Sequence, residues 1–162
     1  MQFSAAELKA ANVNPATGLA TDYLNHFNEV VMLIEMVESM PECAEDIAEW
    51  QPYDYRAHFE ITNYVGKEVA IASYDGADPA LRAEFDTIIK ALSDAVDGLR
   101  GAILEASQDE SRGFPEVLPI LDRDIRPLIS MAGAMINGHI PVGVEDDNDA
   151  FDTQNAIDSL FD

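Results

Sequence analysis

The sequence predicts an all-α helical bundle: three long amphipathic helices plus short ones, effectively a four-helix arrangement, with an acidic C-terminal tail. Three observations carry that prediction. Apolar residues recur at spacings of three and four over long stretches. No stretch alternates apolar and polar residues as a half-buried strand would. Proline and glycine fall at the ends of the periodic stretches, where helices stop and start. A length of 162 residues with 48% hydrophobic content suits one domain with a packed core.

Residues 1–16 read as an irregular lead, with Asn12, Asn14 and Pro15 as breakers. The bundle is expected over residues 17–144. Its first helix starts at Thr17 or Thr21 and runs to Met40, because Pro41 cannot continue it. Tyr23, Phe27, Val30, Ile34 and Val37 form its apolar stripe. A short helix follows from Glu42 to Trp50, and Pro52 is placed to open the next segment, where Tyr55, Phe59 and Thr62 are weakly periodic. Lys67 to Tyr74 forms another short helix, stopped by Asp75-Gly76. Asp78-Pro79 then supplies a capping carboxylate and an N-terminal proline for the longest helix. Leu81, Phe85, Ile88, Leu92, Ala95, Leu99, Ile103 and Ala106 are its expected core face. Gly98 and Gly101 weaken it or mark close approach by a neighbour. The last long helix carries Leu118, Leu121, Ile125, Leu128, Ala132 and Met135, kinks near Arg123 because of Pro127, and stops at Gly138.

Charge restricts function more than periodicity does. The chain has 31 acidic residues against nine basic ones, a formal net charge of −22. Phosphate recognition needs clustered Lys and Arg, so nucleic acid and anionic membrane surfaces are excluded as partners. No apolar stretch is long and uninterrupted enough for a membrane span. The single cysteine, Cys43, permits no intrachain disulfide and reads as a structural core thiol. With no basic, apolar leader at Met1-Gln2-Phe3-Ser4, a cytoplasmic location is expected.

The best metal candidate is Asp22, His26 and Glu29, which fall within about 60° of one helix face. Mixed oxygen and nitrogen donors of that kind suit a divalent metal, with His58 as a fourth ligand from across the bundle. The competing reading is a polar seam on the border of the core, with no cofactor. Inward Glu-x-x-His pairs, the signature of bundle di-metal sites, are absent, since Tyr23, Tyr55 and Ile136 stand three before His26, His58 and His139. Asp147-Asn148-Asp149 does not continue as a calcium loop, because Asp152 occupies the position that needs glycine.

From Glu145 the final 18 residues hold seven acids and no base, and a mobile tail is expected over residues 145–162. At its end, Thr153 can cap a short helix whose edge is Ile157, Leu160 and Phe161. So short a helix is unstable alone, so it either folds on a partner or is the apolar end of a solubilising tail packed on its own bundle.

The segment Gln154…Ile157-Asp158-Ser159-Leu160-Phe161 resembles the docking peptides of chemotaxis phosphatases and flagellar motor switch proteins. The resemblance implies a response regulator as partner, with Ile157, Leu160 and Phe161 in its apolar groove and Asp158 on its basic rim. It also raises a phosphatase reading. The Asp-x-x-x-Gln pair of one phosphatase class is missing, whereas Glu60-Ile61-Thr62-Asn63 has the Glu-x-x-Asn spacing of another, and Asn25 and Glu29 pair an amide with a carboxylate one turn apart. The leading expectation is a non-enzymatic acidic adaptor that binds a protein with a basic face. A metal-binding bundle and a homo-oligomer built on Gly98, Gly101 and Gly133 are the alternatives.

Overall fold

A computed structural model describes residues 3–62, 65–109 and 113–138. The chain is an all-α helical bundle, and the tail over residues 145–162, His139 and Asn63 lie outside the described residues. Its elements are α1 (Ala5–Ala10), a 3-10 turn (Thr21–Leu24), α2 (Asn25–Met36), α3 (Cys43–Glu49), α4 (Tyr55–Ile61), α5 (Lys67–Asp75), α6 (Pro79–Ser107), α7 (Val117–Ile120) and α8 (Arg126–Ile136). The helix α6 is the spine: α3 packs on it from one direction and α8 from another. α2 packs on α3, while the α4–α5 pair meets the bundle through the 3-10 turn.

The lead is more ordered than its breakers suggest. Ser4 and Glu7 form a reciprocal capping box that starts α1. Asn12 then turns the chain with φ 58°, and Val13 and Ala20 face each other in an isolated antiparallel bridge. Thr17 ties this segment to the end of α8 by donating its hydroxyl to the Ile136 carbonyl at 2.7 Å. Gly18 is required next to it. Its φ is +77°, and a Cβ there would sit 2.9 Å from the Ser73 carbonyl oxygen.

The stripe Tyr23, Phe27, Val30, Ile34 and Val37 is fully buried, as its spacing predicts. The helix is shorter than expected, beginning as a 3-10 turn and ending at Met36. Asp54, rather than Pro52, starts α4: its carboxylate accepts from the Ala57 amide at 2.7 Å. Asp78 makes no side-chain cap, and Pro79 opens α6 without it.

Along α6 the core face is Leu81, Phe85, Ile89, Leu92, Val96, Leu99 and Ile103. Ile88, Ala95 and Ala106 are only half-buried. The buried set advances by slightly more than one helical turn per step, so it drifts around the helix as the partner changes. Neither Gly98 nor Gly101 has a neighbouring atom within 4 Å of a would-be Cβ, which removes the close-approach explanation within the chain.

The last helical run is divided in three. Pro127 has no amide to bond the Arg123 carbonyl, and the backbone widens into a π-type turn over Leu121–Ile125. That is the expected irregularity at Arg123, taken up as a wider turn. Val117 rather than Leu118 enters the core, while Leu121, Ile125, Ala132 and Met135 are buried as expected. Gly138 has φ +86°, the left-handed stop its position predicts. No helix of the described residues is long and apolar enough to cross a membrane.

Candidate functional site

The 3-10 turn and the start of α2 carry Asp22, Tyr23 and His26 to one end of the bundle. The α3–α4 connection brings Trp50, Gln51 and Tyr53 over them, and α4 adds Tyr55 and His58. The result is an aromatic and histidine seam. His26 lies between Trp50 and Tyr53, with ring centroids 4.6 and 4.9 Å away and planes nearly parallel. Its Nε2 donates to the Gln51 carbonyl at 2.5 Å, because a carbonyl can only accept. The Trp50 indole returns a hydrogen bond to the His26 carbonyl at 2.9 Å. Loss of hydration lowers the His26 pKa, against a smaller upward pull from the Gln51 carbonyl.

His58 is buried, edge-on to Tyr23 at 5.5 Å, and its Nε2 donates to Asp22 Oδ2 at 3.2 Å. The other Asp22 oxygen accepts from the Asn25 amide at 3.3 Å. Tyr23 donates its hydroxyl to the Tyr53 carbonyl at 2.5 Å, and burial pushes its ionisation far upward. Every one of these polar groups is aimed at a fixed internal partner. The seam therefore holds rings and loops in place.

Of the predicted metal ligands, Asp22 and His58 meet, and the His26 ring lies 5.9 Å from that of His58. Glu29 is exposed, one turn along from His26, whose charged form its carboxylate favours. Among the described residues no group of three or more His, Cys, Asp or Glu side chains is arranged to hold a metal ion. Of the expected four-residue set, the fold brings Asp22 and His58 into contact beside a stacked His26. Asn25 turns its amide to Asp22, and Glu60 pairs with Arg56 at 3.6 Å, while Asn63 lies outside the described residues. Cys43 is buried. Ile157, Asp158, Leu160 and Phe161 lie outside the described residues.

A second feature lies on the outside. From Ala10 to Tyr55 the chain holds nine acids and no Lys or Arg. On α2, Glu29, Met32 and Met36 share one face by their offsets of three and seven. Met32, Met36 and Met40 are 59%, 37% and 44% exposed, and Glu38 and Glu42 beside them are exposed as well. Six of the nine bases are engaged by partners within the chain. Arg56, Lys90, Arg100, Arg123 and Arg126 form ion pairs, and Arg82 donates to the Asp75 carbonyl at 2.8 Å. Apart from Glu35, which pairs with Arg126, the acids on α2 and α3 keep their outward field, and sequence reasoning missed the methionines because 3.6-residue spacing alone does not say which face is covered.

An acidic helical bundle with a methionine-lined outer face is the class of protein that fold and surface define. Comparison with known protein families, curated proteins and solved structures finds no match.

Proposed function

We propose that this protein is an acidic helical binding module, an adaptor or regulator that recruits a protein partner with a basic, partly apolar face. The observation that carries the reading is the base-free stretch from Ala10 to Tyr55, with Met32, Met36 and Met40 exposed among its carboxylates. Negative charge steers a basic partner into encounter, and flexible, polarisable methionines then supply apolar contact. Exposed apolar side chains grouped in this way are the usual mark of a binding surface.

The terminal peptide is a second contact element, supported by its likeness to response-regulator docking segments. Ile157, Leu160 and Phe161 would supply anchors, and Asp158 a charged contact. The test is titration of a purified chemotaxis response regulator and of a helical Leu/Lys peptide against three forms of the chain. These are the intact protein, one truncated after residue 150, and one carrying Met32→Ser, Met36→Ser and Met40→Ser. Binding of the Leu/Lys peptide should weaken tenfold or more in the serine variant, and binding of the response regulator should vanish on truncation. If all three forms bind both probes alike, the module reading is wrong.

A further inference from the structure

A cleft of about 370 Å³ opens between the α3–α4 connection, α5 and α6. Its walls are aromatic. Tyr53 stands on one side, Phe85 forms part of the floor, and Tyr55 and Tyr74 stack nearly parallel with centroids 4.7 Å apart. Asp54 and Asp86 line it from opposite elements and are exposed, Lys90 lines it as well, and the Arg82 guanidinium lies 5.8 Å from the Tyr74 ring centroid. Among the described residues neither pairs with a Lys or Arg. Lys90, one helical turn from Asp86, instead holds Asp94 at 2.9 Å.

Each carboxylate is oriented yet retains acceptor capacity. Asp54 Oδ1 caps α4 through the Ala57 amide. Asp86 accepts the Tyr74 hydroxyl, at 2.8 and 2.9 Å from its two oxygens. A carboxylate has about four acceptor directions, so both keep lone pairs for a further donor. Aromatic faces attract cations through their quadrupoles, and a planar guanidinium both stacks on a ring and donates to carboxylates. A volume of this size falls within the range of small-ligand sites.

We infer that this cleft seats the guanidinium of an arginine side chain presented by a basic polypeptide, set against Tyr53 and held by Asp54 and Asp86. This deepens the module reading and rests on it for the identity of the polypeptide. The seat itself is tested with a probe that needs neither the methionine face nor the terminal peptide.

The probe is a capped Gly-Arg-Gly tripeptide, titrated into the full chain and followed by amide chemical shifts. Capped Gly-Gly-Gly and butylamine serve as comparisons. Shift changes should centre on Tyr53, Tyr74 and Asp86, and the arginine peptide should bind more tightly than either comparison. Asp54→Asn with Asp86→Asn keeps the cap and the Tyr74 acceptor while removing both charges, and should weaken binding tenfold or more. Glu45→Gln with Glu49→Gln removes as much charge from α3 and should change affinity less than twofold. Lys90→Gln, at an exposed position, should strengthen binding about threefold by removing a competing cation. Shifts spread over the whole acidic surface, equal weakening in the two double variants, or preference for butylamine would overturn the inference. Failure here with retained Leu/Lys peptide binding would sink the seat alone. Loss of binding in the serine variant with an intact tripeptide site would leave the seat standing.

Discussion

Arg100 is the side chain whose removal should damage this fold most for its size. It projects from the spine helix α6 to the end of α3, where helix carbonyls have no intrahelical partner. Its Nε donates to the Ile47 carbonyl at 3.0 Å, and one terminal nitrogen donates to Ala48 at 3.2 Å and to the Trp50 carbonyl. The guanidinium also lies 5.3 Å from the Trp50 ring centroid and 2.6 Å from Asp97 Oδ1. The Arg100 side chain is 14% exposed, so water screens it little, whereas Asp97 is 46% exposed and adds little. Two to three hydrogen bonds from a charged donor, at about 1.5 kcal/mol each, give a loss of about 3–4.5 kcal/mol for Arg100→Met. Methionine keeps most of the apolar stem, so the loss reports on the polar head. For a domain of this length that lowers Tm by roughly 6–18 °C. Arg100→Lys should fall between the two, since one ammonium cannot span three carbonyls. The assay is urea and thermal unfolding by circular dichroism, read alongside fluorescence of Trp50, the only tryptophan in the chain. If Arg100→Met unfolds at the wild-type midpoint with unchanged Trp50 emission, the bridge contributes nothing and the reasoning fails.

Two further outcomes follow from the same structure. Gly98→Ala and Gly101→Ala should each raise stability by about 0.5–1 kcal/mol, measured by urea unfolding, because both positions are helical and open; a loss instead would mean that another copy of the chain packs closely there. His26 contributes stability that is intact above its unfolded pKa of about 6.5 and is lost as pH falls toward its lowered folded pKa. Below 6.5 the unfolded chain binds the proton more readily than the fold does, so the Tm gap between wild type and His26→Gln should narrow from pH 7.5 to 5.5. Carboxylate protonation acts on both proteins alike, and a gap that does not change with pH would show that His26 does not titrate differently on folding.

What could be read from the sequence was local. Phe27, Val30 and Ile34 announce a buried face by spacing, Pro41 and Gly138 announce stops, and Pro127 announces an irregularity one turn before itself. The choice of Ile89 over Ile88, and Val96 over Ala95, was not legible, because either set is a regular helical stripe and only the neighbours decide between them. The capping box at Ser4 and Glu7 was present as a pattern but was outweighed by the breakers after it. The histidine seam was half legible. Asp22 and His26 share a face by arithmetic, and the meeting of Asp22 with His58 was anticipated. The stacking of Trp50 and Tyr53 on His26 depends on the path of the α3–α4 connection, which no periodicity encodes. Arg100 looked like one more surface base in a helix interrupted by glycines; its role exists only because α3 ends against it.

The distribution of the nine bases links this architecture to the surface. A lobe made of α2 and α3 carries acids and no base of its own, and its like charges repel one another. It is tied to the body by arginines from elsewhere: Arg100 of α6 on the carbonyls of α3, and Arg126 of α8 on Glu35 of α2. Both cations are spent within the fold, one on the dipole end of a helix and the other shared with Asp122 at 2.8 Å. Had the same arginines stood on the outer face of α2, they would have cancelled the field around Met32 and Met36. Placed inward, they hold the lobe against its own repulsion and leave Glu29, Glu38 and Glu42 facing solvent. Stability and negative surface are therefore produced by one arrangement. A charge swap of Arg126 and Glu35, which preserves the pair but moves the acid to α8, would separate the two.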